Sequence, residues 1–308
     1  MLADPRQLRL LALIERYGSL SGAADVLGLT PAAVTQQIAK AERDFRAPLV
    51  LRGPRGATLT TAGAVLAARG RVIDEETDRA SAELAALLGH LSLRLRIGAF
   101  QAAALHLLPP ALTALRHRHP DADLSVADLL SEHGVEEVTA GRLDMAVVAT
   151  WDADVATPPH LSVRELLRDP LVVVLPDDHP LALQHPPQAP IGLERLRDEA
   201  WVTILAGHAA RAQFDRITAA AGFTPKMRFQ AGSYDVAQAL VGTGIGVALV
   251  SRLALTGAPG TTHRALAPPA PHRRLHAVTP ADTTLTPLVG EFLDLLQDVA
   301  RDIGSTWD

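Results

Sequence analysis

Along the first ninety residues, apolar positions recur at helical spacing and are interrupted at short intervals by glycine and proline. Leu8, Leu11 and Ile14, with Leu10 and Leu13 beside them, predict an amphipathic helix over residues 6–17 that ends at Gly18. A second, shorter helix is expected from Ser21, its N-cap, to Leu27, with Ala23, Ala24 and Leu27 on one face. Gly28 breaks it and Leu29 plugs the angle. Thr30 followed by Pro31 then marks the start of a third helix running to about Arg46. Two extended runs, Leu49–Leu51 and Ala57–Leu59, flank Gly53-Pro54-Arg55-Gly56 and read as strands joined by a turn.

From Thr61 to Leu91 the pattern is helical again. Ile73, Thr77, Ala80, Leu84, Leu87 and Leu91 step by four and three residues, a heptad seam with charges between. This fits either a helix packed on its own domain or a linker helix that dimerises. Beyond Arg94 the texture changes. Runs at 93–100, 123–129, 144–150, 171–176, 199–205, 226–232 and 246–251 predict strands, and 105–118, 132–140, 209–221, 234–242 and 285–303 predict helices. Apolar strands alternating with helices imply α/β layers with largely parallel sheets. A proline-marked break near 158–170 and a return near 268–276 suggest two lobes joined by crossovers.

With 308 residues, 48% of them hydrophobic and 20% charged, the chain has ample material for two or three cores and no disordered composition. It has no cysteine, which removes disulfides, thiolate metal sites and a cysteine nucleophile from consideration. The N-terminal segment carries charge throughout and does not read as a signal peptide, and no stretch approaches a membrane span, so a cytoplasmic protein with no membrane partner is expected. The net charge of −5 conceals an asymmetry: residues 1–70 balance at +4 and the remainder at −9. A basic head on an acidic body suits a small phosphate-binding module joined to something else.

The third helix carries the chemistry. On a helical wheel Val34, Ile38 and Ala41 form a packing face. The opposite side collects Ala32, Thr35, Gln36, Ala39 and Arg43, flanked by Gln37 and Lys40. Short side chains permit close approach to a major groove, Gln pairs bidentately with adenine, and Thr meets a base edge or a thymine methyl. The alanines of the second helix let its axis lie close to the third across a sharp turn. Arg52 and Arg55 at the hairpin tip are placed as a wing touching backbone or minor groove. The candidate DNA-binding set is therefore Ser21, Thr30, Pro31, Ala32, Thr35, Gln36, Gln37, Lys40, Arg43, Arg52 and Arg55. The bland alternative is an alanine-rich helical hairpin with solvated polar residues.

Residues 6–63, through "LRLLALIERYGSLSGAADVLGLTPAAVTQQIAKAE", the spacing to "APLVLR" and the "LTTAG" that follows, resemble the winged helix-turn-helix of LysR-type transcriptional regulators. The similarity continues through "LRIGAF", "LLPPAL", "GRLDMAVV" and "ALVGTGIGVALVS". Thr35, Ala41 and Val50 depart from the family's usual Ser, Leu and Phe.

The resemblance implies an α/β chain with an all-α winged helix-turn-helix N-terminal domain (1–60) and a long linker and dimerisation helix (61–91). A periplasmic-binding-protein-like, two-lobed effector domain follows (92–308), with lobe I at 94–163 and 268–308 and lobe II at 164–267. It implies a homodimer or homotetramer on double-stranded DNA carrying an interrupted palindrome, a small-molecule effector, and RNA polymerase as the recruited partner. Ligands in such sheets sit at the C-terminal ends of strands. That points to Phe100, Gln101, Ala102, Ser131, Ala149, Trp151, Thr203, Ile204, His208 and Ser233. At Ala102, where the resemblance implies a hydroxyl in carboxylate-binding members, this chain has none; Phe100 and Trp151 favour an apolar or aromatic ligand.

No metal, cofactor or enzymatic site is indicated. "GTGIG" at 242–246 ends a helix and enters a strand, the reverse of a dinucleotide fingerprint. His117 and His119 lie at a helix end, where a cation meets the dipole. There is no Gly-x-Ser-x-Gly elbow. A solute-binding protein would explain the body and leave the basic head without a purpose. A cofactor-using enzyme would need a phosphate loop that is missing.

Overall fold

The computed structural model describes residues 4–53, 56–87, 93–151, 154–184, 186, 188–281 and 285–307. The chain divides into two compact units, residues 1–92 with 140–142, and residues 93–139 with 143–308.

In the first unit, α1 (Pro5–Tyr17), α2 (Leu20–Leu27) and α3 (Pro31–Phe45) precede a hairpin of β1 (Val50–Gly53) and β2 (Gly56–Leu59), then α4 (Thr61–Leu87). The strands pair antiparallel with Val50 opposite Leu59. The second helix starts two residues earlier than its alanine pattern suggested: Ser19, not Ser21, is the N-cap, its Oγ accepting from Gly22 N at 3.0 Å. Both serines can cap, and the one outside the helix wins because only its backbone is extended. Gly28 closes α2 at φ 62°, a left-handed value that glycine adopts at little cost. Thr30 Oγ1 accepts from Ala33 N at 3.2 Å and caps α3 as expected.

Ala23, Ala24, Val34, Ile38, Leu10, Leu11 and Ile14 form the head's core with Leu49. Polar pins surround it. Gln7 Nε2 donates to Asp44 Oδ2 at 2.7 Å, tying α1 to α3, and Glu42 Oε1 accepts from Leu49 N at 2.9 Å, fixing the entry to the hairpin. The first half of α4 runs against α1, where a Cβ on Gly70 would stand 2.2 Å from the Leu8 carbonyl oxygen. Arg71 and Glu15 form an ion pair alongside.

The second unit is two-lobed. One sheet holds β3 (Arg94–Ala99), β4 (Asp123–Asp128) and β5 (Met145–Thr150), with β3 parallel to both others. Helices α5 (Gln101–His106), α6 (Leu108–Arg118) and α7 (Gly134–Thr139) connect them. The single helix expected over 105–118 is thus two. Pro109 and Pro110 cannot continue a helix and instead sit in the first turn of a new one.

A 16-residue strand, β6 (Leu161–Pro176), then passes from one lobe to the other. The proline-marked break expected near 158–170 contains the first ten residues of this strand. Pro170 sits opposite His272, where one sheet gives way to the next, so its missing N–H interrupts little. The second lobe adds α8 (Pro180–Gln184), β7 (Ala200–Ile204), α9 (Ala209–Ala220), β8 (Lys226–Ala231), α10 (Tyr234–Val241), β9 (Ala248–Ser251) and β10 (Thr261–Ala265). The chain returns through β11 (His272–Pro280) and ends in α11 (Pro287–Ser305).

Neither β10 nor β11 was anticipated as a strand. Both are antiparallel to β6, β11 is also antiparallel to β5, and β9 pairs antiparallel with β6. The sheets are therefore mixed, and the expectation of largely parallel pairing holds only for β3, β4 and β5 and for β7 with β8. Crossover strands that leave a lobe and come back must run in opposite senses, and that requirement of topology is invisible to local periodicity. His119 Nε2 lies 2.7 Å from Glu291 Oε2 and Arg118 Nη1 2.9 Å from Oε1, clasping α6 to α11. The hydrogen bond with His119, then that with Arg118, holds the Glu291 carboxyl below the usual range.

Candidate functional site

In the head, α3 has two faces of opposite character. Val34 is fully buried, and Ile38 and Ala41 are 1% exposed. Gln36, Lys40, Arg43, Ala32, Pro31 and Thr30 are exposed, and Thr35 and Gln37 are half-buried. Ala41 fills its place in the core despite its small size. Lys40 and Arg43 have no ion-pair partner among the described residues, so their charges stay available to an anion. Ser21 is exposed on the first turn of α2. The side chain of Arg52, and Arg55 altogether, lie outside the described residues.

In the body, a cavity of about 240 Å³ opens between the lobes. Six of the ten residues expected there line it: Phe100, Gln101, Ala102, Ile204, His208 and Ser233. The other four are placed elsewhere. Ser131 Oγ accepts from Ala149 N at 3.0 Å, so the two stitch a turn to β5. Thr203 is 4% exposed within its sheet, and Trp151 packs on the core of the second lobe. The strand-end rule locates the cleft but does not say which of the adjacent residues turns inward. Leu129 and Leu130, close to Ser131, line the cavity in its place, and Tyr234 and Asp235 line it together with Ser233.

Arg273 is the addition that sequence reasoning had no means to find. It is a 6% exposed arginine on an unanticipated strand, its Nε 2.9 Å from Asp169 Oδ2 and its Nη2 2.7 Å from Ser251 Oγ. Asp169 is wholly buried and also accepts from Leu253 N at 2.9 Å. The Arg273 guanidinium lies 4.7 Å from the centre of the Phe100 ring, a cation–π contact at the cavity wall. Burial pushes the Tyr234 hydroxyl pKa up; nearby Arg273 opposes the shift and Asp169 adds to it. Across the mouth, Gln101 Nε2 donates to Asp235 Oδ2 at 2.9 Å, joining α5 of one lobe to α10 of the other.

Among the described residues no helix is long and apolar enough to cross a membrane, and no group of three or more His, Asp or Glu side chains is placed to hold a metal ion.

Residues 5–64 match the family described as "Bacterial regulatory helix-turn-helix protein, lysR family", and residues 88–301 match "LysR substrate binding domain". The transcriptional regulator CysL of Bacillus subtilis is 26% identical over 245 residues, covering 80% of this chain and 79% of CysL. Full-length OxyR from Pseudomonas aeruginosa superimposes with a TM-score of 0.69 at 20% identity, covering 97% of each chain. Full-length CbnR, solved in complex with its target DNA, gives a TM-score of 0.68 at 18% identity over 97% of this chain and 100% of CbnR.

Proposed function

The chain belongs to the LysR family of bacterial helix-turn-helix regulators, and from that premise we propose that α3 reads DNA in the major groove while the interlobe cavity takes a small-molecule effector. It is a DNA-binding transcriptional regulator with an effector-binding domain, not an enzyme. The observation that carries the reading of α3 is its division into a buried aliphatic face and an exposed stripe of Gln36, Lys40 and Arg43. CbnR, which shares the fold, has been captured on its target DNA. Thr30, Pro31, Ala32, Thr35 and Gln37, with Ser21, complete the approach surface, and Arg52 and Arg55 serve as a wing on the backbone or minor groove.

The protein acts in the cytoplasm as a homodimer or a tetramer built from dimers. Support comes from α4. Its first half is covered by α1, but farther along Thr77, Ala80 and Leu84 of the heptad seam are exposed, Leu84 by 56%. Ile73 is half-buried, while the side chain of Leu87, and Leu91, lie outside the described residues. A second copy of α4 would cover this seam. Two recognition helices related by two-fold symmetry fit an interrupted palindrome. Effector binding between the lobes shifts the arrangement of the heads, and with it DNA bending and recruitment of RNA polymerase.

Footprinting on DNA from upstream of the protein's own gene tests this. The wild-type protein is expected to protect two half-sites in register with the helical repeat, and affinity should fall steeply with salt as phosphate counterions are released. Leu84→Asp, which places charge in the seam, should lower affinity at least about tenfold by separating the subunits. Protection that competitor DNA abolishes in the wild-type protein would refute the assignment.

A further inference from the structure

Resting on the proposed role of the interlobe cavity, the geometry points to Arg273 as the residue that reads the effector, and to a monoanion with an apolar or aromatic body as the effector's class. A guanidinium carries five N–H donors on three nitrogens. Nε and Nη2 of Arg273 are committed to Asp169 and Ser251, whereas Nη1 has no hydrogen-bond partner among the described residues. Nη1 is also absent from the buried atoms that lack a partner, so it keeps access to space, and Arg273 forms part of the cavity wall. Its side chain is 7% exposed and already fixed by three contacts, so receiving a carboxylate oxygen orders little that was free before.

The rest of the wall agrees. Phe100, Leu105, Leu130 and Ile204 supply apolar surface, and Ala102 brings only a methyl group. His106, also in the wall, has its Nε2 buried away from the open space, so Arg273 is the cation that the cavity presents. Helix α9, whose first turn enters the wall at Ala210, starts without a side-chain cap, so its amides favour negative charge.

The class is bounded on two sides. Asp128 and Asp235 edge the same cavity and Asp169 lies behind Arg273, so a second negative charge would be repelled. The buried charge in the wall is a cation with donors to spare, and Gln101 already engages Asp235, so an ammonium finds no comparable buried partner. At about 240 Å³ the cavity falls below the roughly 300–1,000 Å³ of drug-sized sites, which fits one ring with one carboxylate. Because Asp169 and Arg273 face each other on β6 and β11, the strands that link the lobes, a ligand on Arg273 sits at their junction.

The test is isothermal titration of the full chain with benzoate, benzamide, benzylamine and inorganic sulfate. Benzoate should bind best. Asp169→Asn combined with Arg273→Gln removes both buried charges together and leaves neither stranded. It should weaken benzoate about 10–100-fold while changing benzamide only a few-fold. Ala210→Trp, which fills the cavity from a half-buried position, should abolish benzoate binding.

Preference for benzylamine or sulfate, equal losses for benzoate and benzamide, or no binding of any probe would each overturn the assignment. If another probe binds and Ala210→Trp removes it, the cavity keeps its effector role and only the part given to Arg273 fails. DNA footprinting, which needs no ligand, tests the regulator reading separately.

Discussion

Replacing Asp169 alone by alanine should destabilise the body by about 3–5 kcal/mol, because Arg273 is then left as a buried charge without its counterion. Asp169 is wholly buried and serves two donors, Arg273 Nε and Leu253 N, from opposite ends of its carboxylate. Alanine removes the ion pair and the acceptor for a buried amide at once. Arg273→Met should cost a similar amount by stranding the carboxylate instead. Asp169→Asn with Arg273→Gln should cost much less than the two single changes together, since neither charge remains.

The protein supplies its own reporter. Its three tryptophans, Trp151, Trp201 and Trp307, all lie in the body, and Trp201 is fully buried against Phe214 and Phe223. Urea unfolding followed by tryptophan fluorescence therefore reads this unit without interference from the head. A single variant no less stable than the double variant would contradict the account of the pair.

The second large effect is expected in the head. Gly70→Val should separate α1 from α4, at or above the roughly 3 kcal/mol upper end of ordinary overpacking. Even the first added carbon would stand 2.2 Å from the Leu8 carbonyl oxygen and 2.5 Å from its carbon, and both are backbone atoms that cannot rotate aside. Leu8, Leu11 and Ile14 would lose part of their cover, and DNA binding would fall with the helix-turn-helix they support. The tryptophan transition should remain where it was. Circular dichroism and DNA titration on the same sample check both halves, and unchanged DNA affinity in Gly70→Val would show that this crossing is not needed.

Local signals served the sequence well where one element decides its own structure. Val34, Ile38 and Ala41 were assigned inward by periodicity alone, and Thr30 with Pro31 fixed the start of α3 because both act on backbone groups within one turn. Choosing between Ser19 and Ser21 depended on the path of the chain before the helix, which periodicity does not carry. The strands β6 and β11 show the same limit on a larger scale. The proline-marked stretch near 158–170 reads as a break, yet one strand runs through it and past Pro170, because pairing with β11 up to that residue and with β9 beyond it holds the backbone extended.

The cleft was legible as a place more than as a set of side chains. Strand ends reached Phe100, Gln101, Ala102, Ile204, His208 and Ser233, while Ser131 and Ala149 spent their polar groups on each other. Arg273 escaped because its partners, Asp169 and Ser251, lie 104 and 22 residues away and meet it only through the fold.

The most direct test of the central claim compares Gln36→Ala and Lys40→Ala with the wild-type protein by quantitative footprinting over a range of salt. Gln36→Ala should cost about 1–3 kcal/mol and relax preference at one base position in each half-site, as loss of a base contact does. Lys40→Ala should weaken binding to all sequences alike and lower the salt dependence by about one ion per subunit, as loss of a phosphate contact does. Unchanged affinity and unchanged base preference in Gln36→Ala would contradict the assignment of α3 as the reading helix.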